Sequence, residues 1–310
     1  MKNQNWKAHV ALLLVNTFYG ANHVIAKGIM PTYLTPNVFI LLRVTGATFL
    51  FSILYFFQKN RERIAKKDLP RVFACALFGV AVNQLFFFHG LNLSSSINAS
   101  IIMTLNPIIV VVLSYFLLKE SITKTRSVGV ILGAMGAILL TLSSSSRNVN
   151  LAIGDVFLLI NAMSYAVYLV IAKPLMNKYK PVTVITHVFA IGMVYVLIFP
   201  PTIGEVMQTD FSVLHGVVLG KVLYVIIGVT FFAYLLTLYG LKRLSPSVSS
   251  SYIYLQPVLV IVFAIFFAYI GFTEDYTDTI TLQKMGYMLL IFLGVYITTI
   301  KKKPKAGLVE

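Results

Sequence analysis

Charge is scarce in this sequence. Only 11% of its 310 residues are Asp, Glu, Lys or Arg, against about 25% in an ordinary soluble domain. A globule of this size could not cover its surface with so few ionisable groups. That excludes a water-soluble enzyme, a soluble nucleic-acid binder and a disordered chain. Cysteine is nearly absent: Cys75 stands alone in an apolar run, so no intrachain disulfide can form. Acids are scarcer than bases, ten against 25, and none falls near the centre of an apolar stretch. The buried carboxylate on which proton-driven antiport commonly relies is therefore lacking, and facilitated diffusion or exchange stands beside proton antiport. Also missing are His-Glu-x-x-His, Gly-x-Ser-x-Gly, a pair of buried acids and a Walker loop. No metal, cofactor or ATP-driven chemistry is expected.

What is present is hydrophobic: 58% of the residues, with a mean hydropathy of +0.85. About 20 apolar residues cross a bilayer core as a helix. Ten stretches bounded by charge or by Pro/Ser clusters qualify. They run over about 8–27, 37–57, 72–93, 98–118 and 127–142, then 153–173, 182–201, 217–241, 248–270 and 282–300. Lys2 and Lys7 precede only a short apolar run before Asn16 and Asn22, which fits a retained first span better than a cleavable signal. The expectation is an all-α integral membrane protein of ten transmembrane helices.

Charge orients the spans. Basic residues fill alternate segments: Lys2 and Lys7, then Lys59–Arg71, then Lys119, Lys124 and Arg126. Lys173, Lys178 and Lys180, then Lys242 and Arg243, and finally Lys301–Lys305 continue the series. The intervening segments hold Asp155, Glu205, Asp210, Glu274, Asp275 and Asp278. The positive-inside rule then puts both termini in the cytoplasm. This distribution accounts for the net charge of +15 through topology and anionic lipid. No nucleic-acid partner is expected; the lipid bilayer and a small-molecule substrate are, with the chain a monomer or homodimer. No organellar targeting segment is evident, which suits a bacterial inner (plasma) membrane.

The sequence also repeats itself. Val24-Ile25-Ala26-Lys27 recurs as Val170-Ile171-Ala172-Lys173, and Tyr19 matches Tyr165. Further on, Gly90-Leu91 matches Gly240-Leu241, Ser100 matches Ser250, and Leu105-Asn106-Pro107 matches Leu255-Gln256-Pro257. The matches keep their order at nearly constant spacing. Two units result, 1–147 and 148–303, followed by a tail, 304–310. Five spans is an odd number, so the second unit enters the membrane from the opposite side. Inverted repeats of this kind place a substrate pathway between their halves.

The order of Phe18-Tyr19-Gly20, Arg43 in the second span, and Leu105-Asn106-Pro107 through Leu118-Lys119-Glu120 resembles the EamA-type permeases of the drug/metabolite transporter superfamily. The resemblance spans nearly the whole chain. The second unit departs from it, with Ile270 where Glu120 stands and Glu274/Asp275 beyond. The resemblance implies a ten-helix bundle around a central cavity and efflux of amino acids or other small metabolites. A lipid or lipid-precursor flippase of the same fold, and more remotely a membrane enzyme, are the alternatives.

Polar residues inside spans are costly and therefore informative. Asn16, Tyr19 and His23 share one face of the first span, and Asn161, Tyr165 and Tyr168 one face of the sixth. These stripes suit either a cavity wall or hydrogen bonds between helices. Asn106 and Gln256 each precede a mid-span proline, Pro107 and Pro257, which is expected to kink the helix and serve as a hinge. Tyr252 stands one helical turn before Gln256. Asn83, Gln84 and His89 come from the third span, and Tyr234 and Thr237 from the eighth. Arg43 is either a structural post or a charge-selecting contact, and His187 sits near its level in span seven. The run Phe86-Phe87-Phe88 is expected to face lipid or pack the bundle, and Gly129, Gly133 and Gly136 to permit close helix approach.

Overall fold

A computed structural model describes residues 2–119, 149–272 and 281–299, with residues 125, 127–129, 131–133, 135–136 and 139 between them. Glu120, Ser143–Ser146, Arg147, Glu274, Asp275, Asp278, the basic cluster Lys301–Lys305 and the tail 304–310 lie outside the described residues. The helices are α1 (Lys2–Lys27), α2 (Pro36–Phe56), α3 (Lys66–Leu93) and α4 (Ser96–Leu118). The series resumes with α5 (Val149–Lys178), α6 (Pro181–Leu197), α7 (Pro200–Gln208), α8 (Gly216–Arg243), α9 (Pro246–Tyr269) and α10 (Leu282–Thr299).

Among the described residues, six helices are long and apolar enough to cross a membrane. The pair α6–α7, bent by 76°, makes a seventh if it forms one span. Its break departs from the continuous span expected over 182–201. Pro200 starts the new helix, and the residue before it, Phe199, is held extended, as the proline ring requires. α1 has the length of a span, but Asn16, Asn22 and His23 make it less apolar. Large hydrophobic side chains such as Phe49, Phe116, Ile265 and Leu289 are exposed on α2, α4, α9 and α10. An apolar outer face of this kind fits hydrocarbon rather than water.

The helices on the cavity route are not regular. α3 contains a π-helical turn, Leu77–Ala81, and α8 one over Val225–Phe232. α4 is interrupted at Thr104–Leu105, just before Asn106-Pro107, and α9 tightens to a 3-10 turn over Tyr252–Leu255, just before Gln256-Pro257. In each case the proline sits in the first turn of the helix that follows, where its missing N–H costs nothing.

The internal sequence matches have structural counterparts. Lys27 Nζ donates to the carbonyls of Leu91 and Asn92 at 2.9 and 2.7 Å, and Lys173 Nζ donates to those of Leu241 and Leu244 at 2.6 and 2.9 Å. Each lysine thus serves unpaired carbonyls at the end of α3 or α8, which a helix cannot satisfy by itself. Ser95 caps the start of α4 and Ser245 the start of α9. Packing follows the same exchange: α3 lies on α5 as α8 lies on α1, α4 lies on α5 as α9 lies on α1, and α2 lies on α6. Gly129 and Gly133 close against Gly294 of α10, so these glycines serve packing within the chain.

The α3–α5 and α8–α1 contacts depend on bare backbone. A Cβ on Gly90 would stand 2.8 Å from Leu158 Cγ and 2.9 Å from the Gly154 carbonyl oxygen. A Cβ on Gly240 would stand 2.8 Å from Leu12 Cγ. Overpacking of this kind costs about 1–3 kcal/mol. Gly90→Ala is therefore expected to lower the melting temperature of the detergent-solubilised protein by several degrees. Gly204→Ala, with nothing within 4 Å of the added carbon, should leave it unchanged. Equal stability of the two variants would reject the close contact.

Candidate functional site

The irregular turns bring polar side chains together at one place. A π-helical turn leaves backbone carbonyls that its own helix does not use well, and such turns recur at functional sites. Here residues of α5 and α8 serve those of α3: Ser164 Oγ donates to the Phe78 carbonyl at 2.6 Å, and Tyr234 OH to the Gly79 carbonyl at 3.1 Å. Tyr234 OH also lies 3.2 Å from Asn83 Oδ1, and Asn161 Nδ2 donates to the Asn83 carbonyl at 2.6 Å. In α8, Thr230 Oγ1 donates to the carbonyl of Val225 at 2.8 Å.

Beside these bonds lies a cavity with at most about 530 Å³ of space between atoms. Its polar wall comes from α1 (Tyr19, Asn22, His23), α2 (Arg43), α3 (Asn83, Gln84), α5 (Asn161, Tyr165), α8 (Tyr234) and α9 (Gln256). Phe87, Phe88, Met103, Val229 and Ile253 supply the apolar wall.

A hydrogen-bonded chain crosses from α1 to α9. Gln256 Nε2 donates to Asn16 Oδ1 at 2.9 Å, while Gln256 Oε1 lies 3.4 Å from His23 Nε2. An amide oxygen only accepts, so the bond requires the proton on Nε2 and leaves Nδ1 as an acceptor. His23 Nδ1 has no partner among the described residues, nor has Asn22 Oδ1, and the amide of Gln84 faces the Tyr234 hydroxyl. Arg43 is 4% exposed. Its Nε donates to Thr230 Oγ1 at 3.0 Å, and its guanidinium carbon stands 4.5 Å from the Phe88 ring centroid. Among the described residues no carboxylate pairs with it: the ion pair found there joins Lys178 to Asp68 at 2.8 Å.

The structure thus gathers Tyr19, His23, Arg43, Asn83, Asn161, Tyr165 and Gln256 around one space. Others of the expected set sit elsewhere. Asn16 lies behind Gln256, on a smaller adjoining cavity. Asn106 is turned to the Ala162 carbonyl, 2.8 Å away, and Tyr168 is buried with its ring across Gly79. Tyr252 does not share the Gln256 face. The 3-10 turn has three residues per revolution rather than 3.6, and Tyr252 OH instead meets His9 Nδ1 at 2.6 Å. His187 Nδ1 donates to the carbonyl of Thr183, one turn back, at 2.7 Å and its ring packs on Tyr55. Pro107 and Pro257 are buried at the helix breaks.

Of the two alternatives for the aromatic run, Phe87 and Phe88 take the second and pack the bundle: Phe87 packs edge-on to His23, and Phe88 is fully buried against Phe39 and Arg43. Beyond that expectation, both line the cavity. Their spacing from Gln84, three and four residues, puts them on the amide face, a signal present in the sequence. Asn22 carries the same signal, one turn from Tyr19.

The model of the EamA-like transporter family matches the chain twice, over residues 6–142 and 152–300. The chain belongs to the EamA-like transporter family. Relatives include a protein named as an uncharacterized transporter in Archaeoglobus fulgidus, 28% identical over 296 residues, 96% of this chain and 100% of that one. The transporter YetK of Bacillus subtilis is 22% identical over 307 residues, 96% of this chain and 88% of the relative. A crystal structure at 17% identity, covering 96% of this chain and 97% of the other, superposes with a TM-score of 0.64; it shares the fold. As an EamA-like transporter the protein is a multi-pass membrane protein that handles a small molecule in a lipid environment.

Tyr234 carries the bond between α8 and the π turn of α3. Removing a hydroxyl that serves a buried carbonyl costs about 1–3 kcal/mol. Tyr234→Phe should therefore melt several degrees below the wild type, and Tyr239→Phe, on the half-exposed rim of the same helix, should not. A Tyr234→Phe variant as stable as the wild type would show that the carbonyl is served otherwise.

Proposed function

We propose that the protein is a secondary transporter that exports small organic metabolites, the class that includes amino acids, by alternating access across a bacterial inner membrane. In this reading ten spans form two inverted five-helix units, 1–147 and 148–303, and both termini are cytoplasmic. The observation that carries it is the cavity. Its walls come from α1–α4 on one side and α5, α8 and α9 on the other, so a rocking of one half against the other would change its access.

Several features support the reading. The family model matches in two copies, and the lysine caps and helix contacts exchange with the copies. The ends of the bundle are joined by polar bonds that can be broken and remade. At one end Asp68 accepts from Lys178 and Tyr179, and Glu62 accepts from the Lys180 N–H. At the other, Glu205 accepts from Thr35 and Asn37, whose Oδ1 meets His89 Nε2 at 2.9 Å. Tyr19, His23, Asn83, Asn161, Tyr165 and Gln256 are the proposed substrate contacts.

Reconstitution of the full chain in liposomes, with counterflow of labelled amino acids, organic acids, nucleosides and sugars, tests the carrier. Wild-type counterflow of at least one class, reduced at least tenfold in a folded Gln256→Ala variant, is the expected outcome. Absence of counterflow for every class would overturn it and move the weight to lipid substrates.

A further inference from the structure

The cavity has an electrical asymmetry that narrows its cargo. Among the described residues Arg43 is the one charged side chain on its wall, and no Asp or Glu is on it. A charge in the interior of a bundle is normally held by an opposite charge or by several hydrogen bonds. The hydrogen bond found for Arg43 is the one from Nε to Thr230, whose hydroxyl proton is already committed to Val225. The guanidinium carbon stands over the Phe88 ring, 4.5 Å from its centroid. These two contacts hold the guanidinium and leave its two terminal nitrogens without a hydrogen-bond partner among the described residues. A guanidinium so presented matches a carboxylate through two parallel N–H···O bonds.

A second, independent observation points to a ligand at the same place. Asn22 and His23 are 3% and 2% exposed, yet Asn22 Oδ1 and His23 Nδ1 have no partner among the described residues, and the buried amide of Gln84 faces only the Tyr234 hydroxyl among them. All of them line the cavity. Unpartnered buried amides are costly, and a polar ligand or water would satisfy them.

We infer that the cavity is a site for organic monoanions, in which Arg43 binds a single carboxylate, the amides of Gln84 and Asn22 bind a hydroxyl or carbonyl, and the apolar wall takes the hydrocarbon body. This deepens the transporter reading and rests on it. One fixed cation balances one negative charge. A 2-hydroxy acid leaves the occupied cavity neutral. A zwitterionic amino acid brings an ammonium for which the wall offers no carboxylate, and a primary amine adds a second cation to Arg43. The inferred order of preference is therefore hydroxy acid over amino acid over amine of the same carbon skeleton.

The test uses the purified full chain in nanodiscs for equilibrium binding and in liposomes for counterflow. The probes are L-phenyllactate against L-phenylalanine and L-2-hydroxyisocaproate against L-leucine. They are pairs in which an α-hydroxyl replaces an α-ammonium. Phenethylamine and the neutral amide of phenyllactate complete the set. At least one hydroxy acid should bind ten-fold or more tightly than its amino-acid partner, and phenethylamine should not compete. In Arg43→Gln that hydroxy acid should lose at least ten-fold in affinity and fall level with its amide. Arg43→Lys, which keeps the charge without the fork, should lie between. Should Arg43→Gln fail to fold, the wild-type ranking decides alone. Amino acids bound as tightly as the hydroxy acids, or no binding of either hydroxy acid, would overturn the inference. Counterflow of another class would then still leave the carrier standing. Binding of a hydroxy acid in the expected order without counterflow of any probe would support the site and count against the carrier.

Discussion

Everything in the middle of this bundle answers to one constraint: a backbone carbonyl in hydrocarbon must find a donor. A regular helix meets that demand internally. This chain departs from regularity where its cavity lies, in the π turns of α3 and α8 and the breaks of α4 and α9. The π turns free backbone carbonyls, and side chains supply donors to them. Ser164 and Tyr234 reach Phe78 and Gly79, Asn161 reaches Asn83, and Asn106 reaches Ala162. All four bonds run between α3 or α4 and α5 or α8. The groups that make the helices irregular are thus the groups that join the two halves of the chain. A cavity and a seam arise from the same residues.

That dual use explains why the polar stripes of the sequence could not be sorted in advance. Asn161 is both an interhelical bond and a wall residue. Asn106 is a bond alone. Composition and spacing show that a polar residue lies in a span and on which face. They do not show which neighbour's carbonyl has been freed, because that depends on a π turn in another helix. The bundle as membrane-embedded helix, the matched lysines and the face shared by Tyr19 and His23 were legible, since each follows from local pattern. The bend between α6 and α7 was missed, since one continuous span was expected over 182–201, although Phe199-Pro200-Pro201 carries its signal. Tyr252 misled because a 3-10 turn changes the angular step, which i, i+4 counting assumes constant. For the aromatic run, packing in the bundle was one of the two alternatives; the place of Phe87 and Phe88 on the cavity wall was missed, although their register with Gln84 points to it.

The matched lysines deserve a different physical reading from ordinary loop cations. Lys27 ends α1 and Lys173 stands in the last turns of α5, and each folds its ammonium onto the last carbonyls of α3 or α8 in its own half. A cation at a helix C-terminus is favoured by the macrodipole and by the unpaired carbonyls together. These contacts hold α1 to α3 and α5 to α8 inside each half. Beside the cavity the contacts between the halves are of another kind: apolar packing around Gly90 and Gly240, plus the side-chain bonds to the π turns. Charge joins the halves only nearer the ends of the bundle, where Asp68 meets Lys178 and Glu205 meets Thr35 and Asn37.

This division bears on how such a molecule could move. Neutral hydrogen bonds between amides, hydroxyls and carbonyls are each worth about 1 kcal/mol net, because a water or a ligand oxygen can replace either partner. Charged caps exchange partners less readily, since the ammonium has to be rehydrated first. A motion that keeps each half rigid would therefore break the exchangeable set beside the cavity together with the charged contacts at whichever end opens. The unpartnered atoms of Asn22 and His23 and the amide of Gln84 sit beside that set, on the same wall as Tyr234 and Asn83. A ligand that bonds to them enters the seam's own hydrogen-bond network, and its arrival changes the balance between arrangements of the two halves. Binding and rearrangement are then two aspects of one exchange of hydrogen-bond partners, with Arg43 supplying the fixed charge around which the exchange is organised.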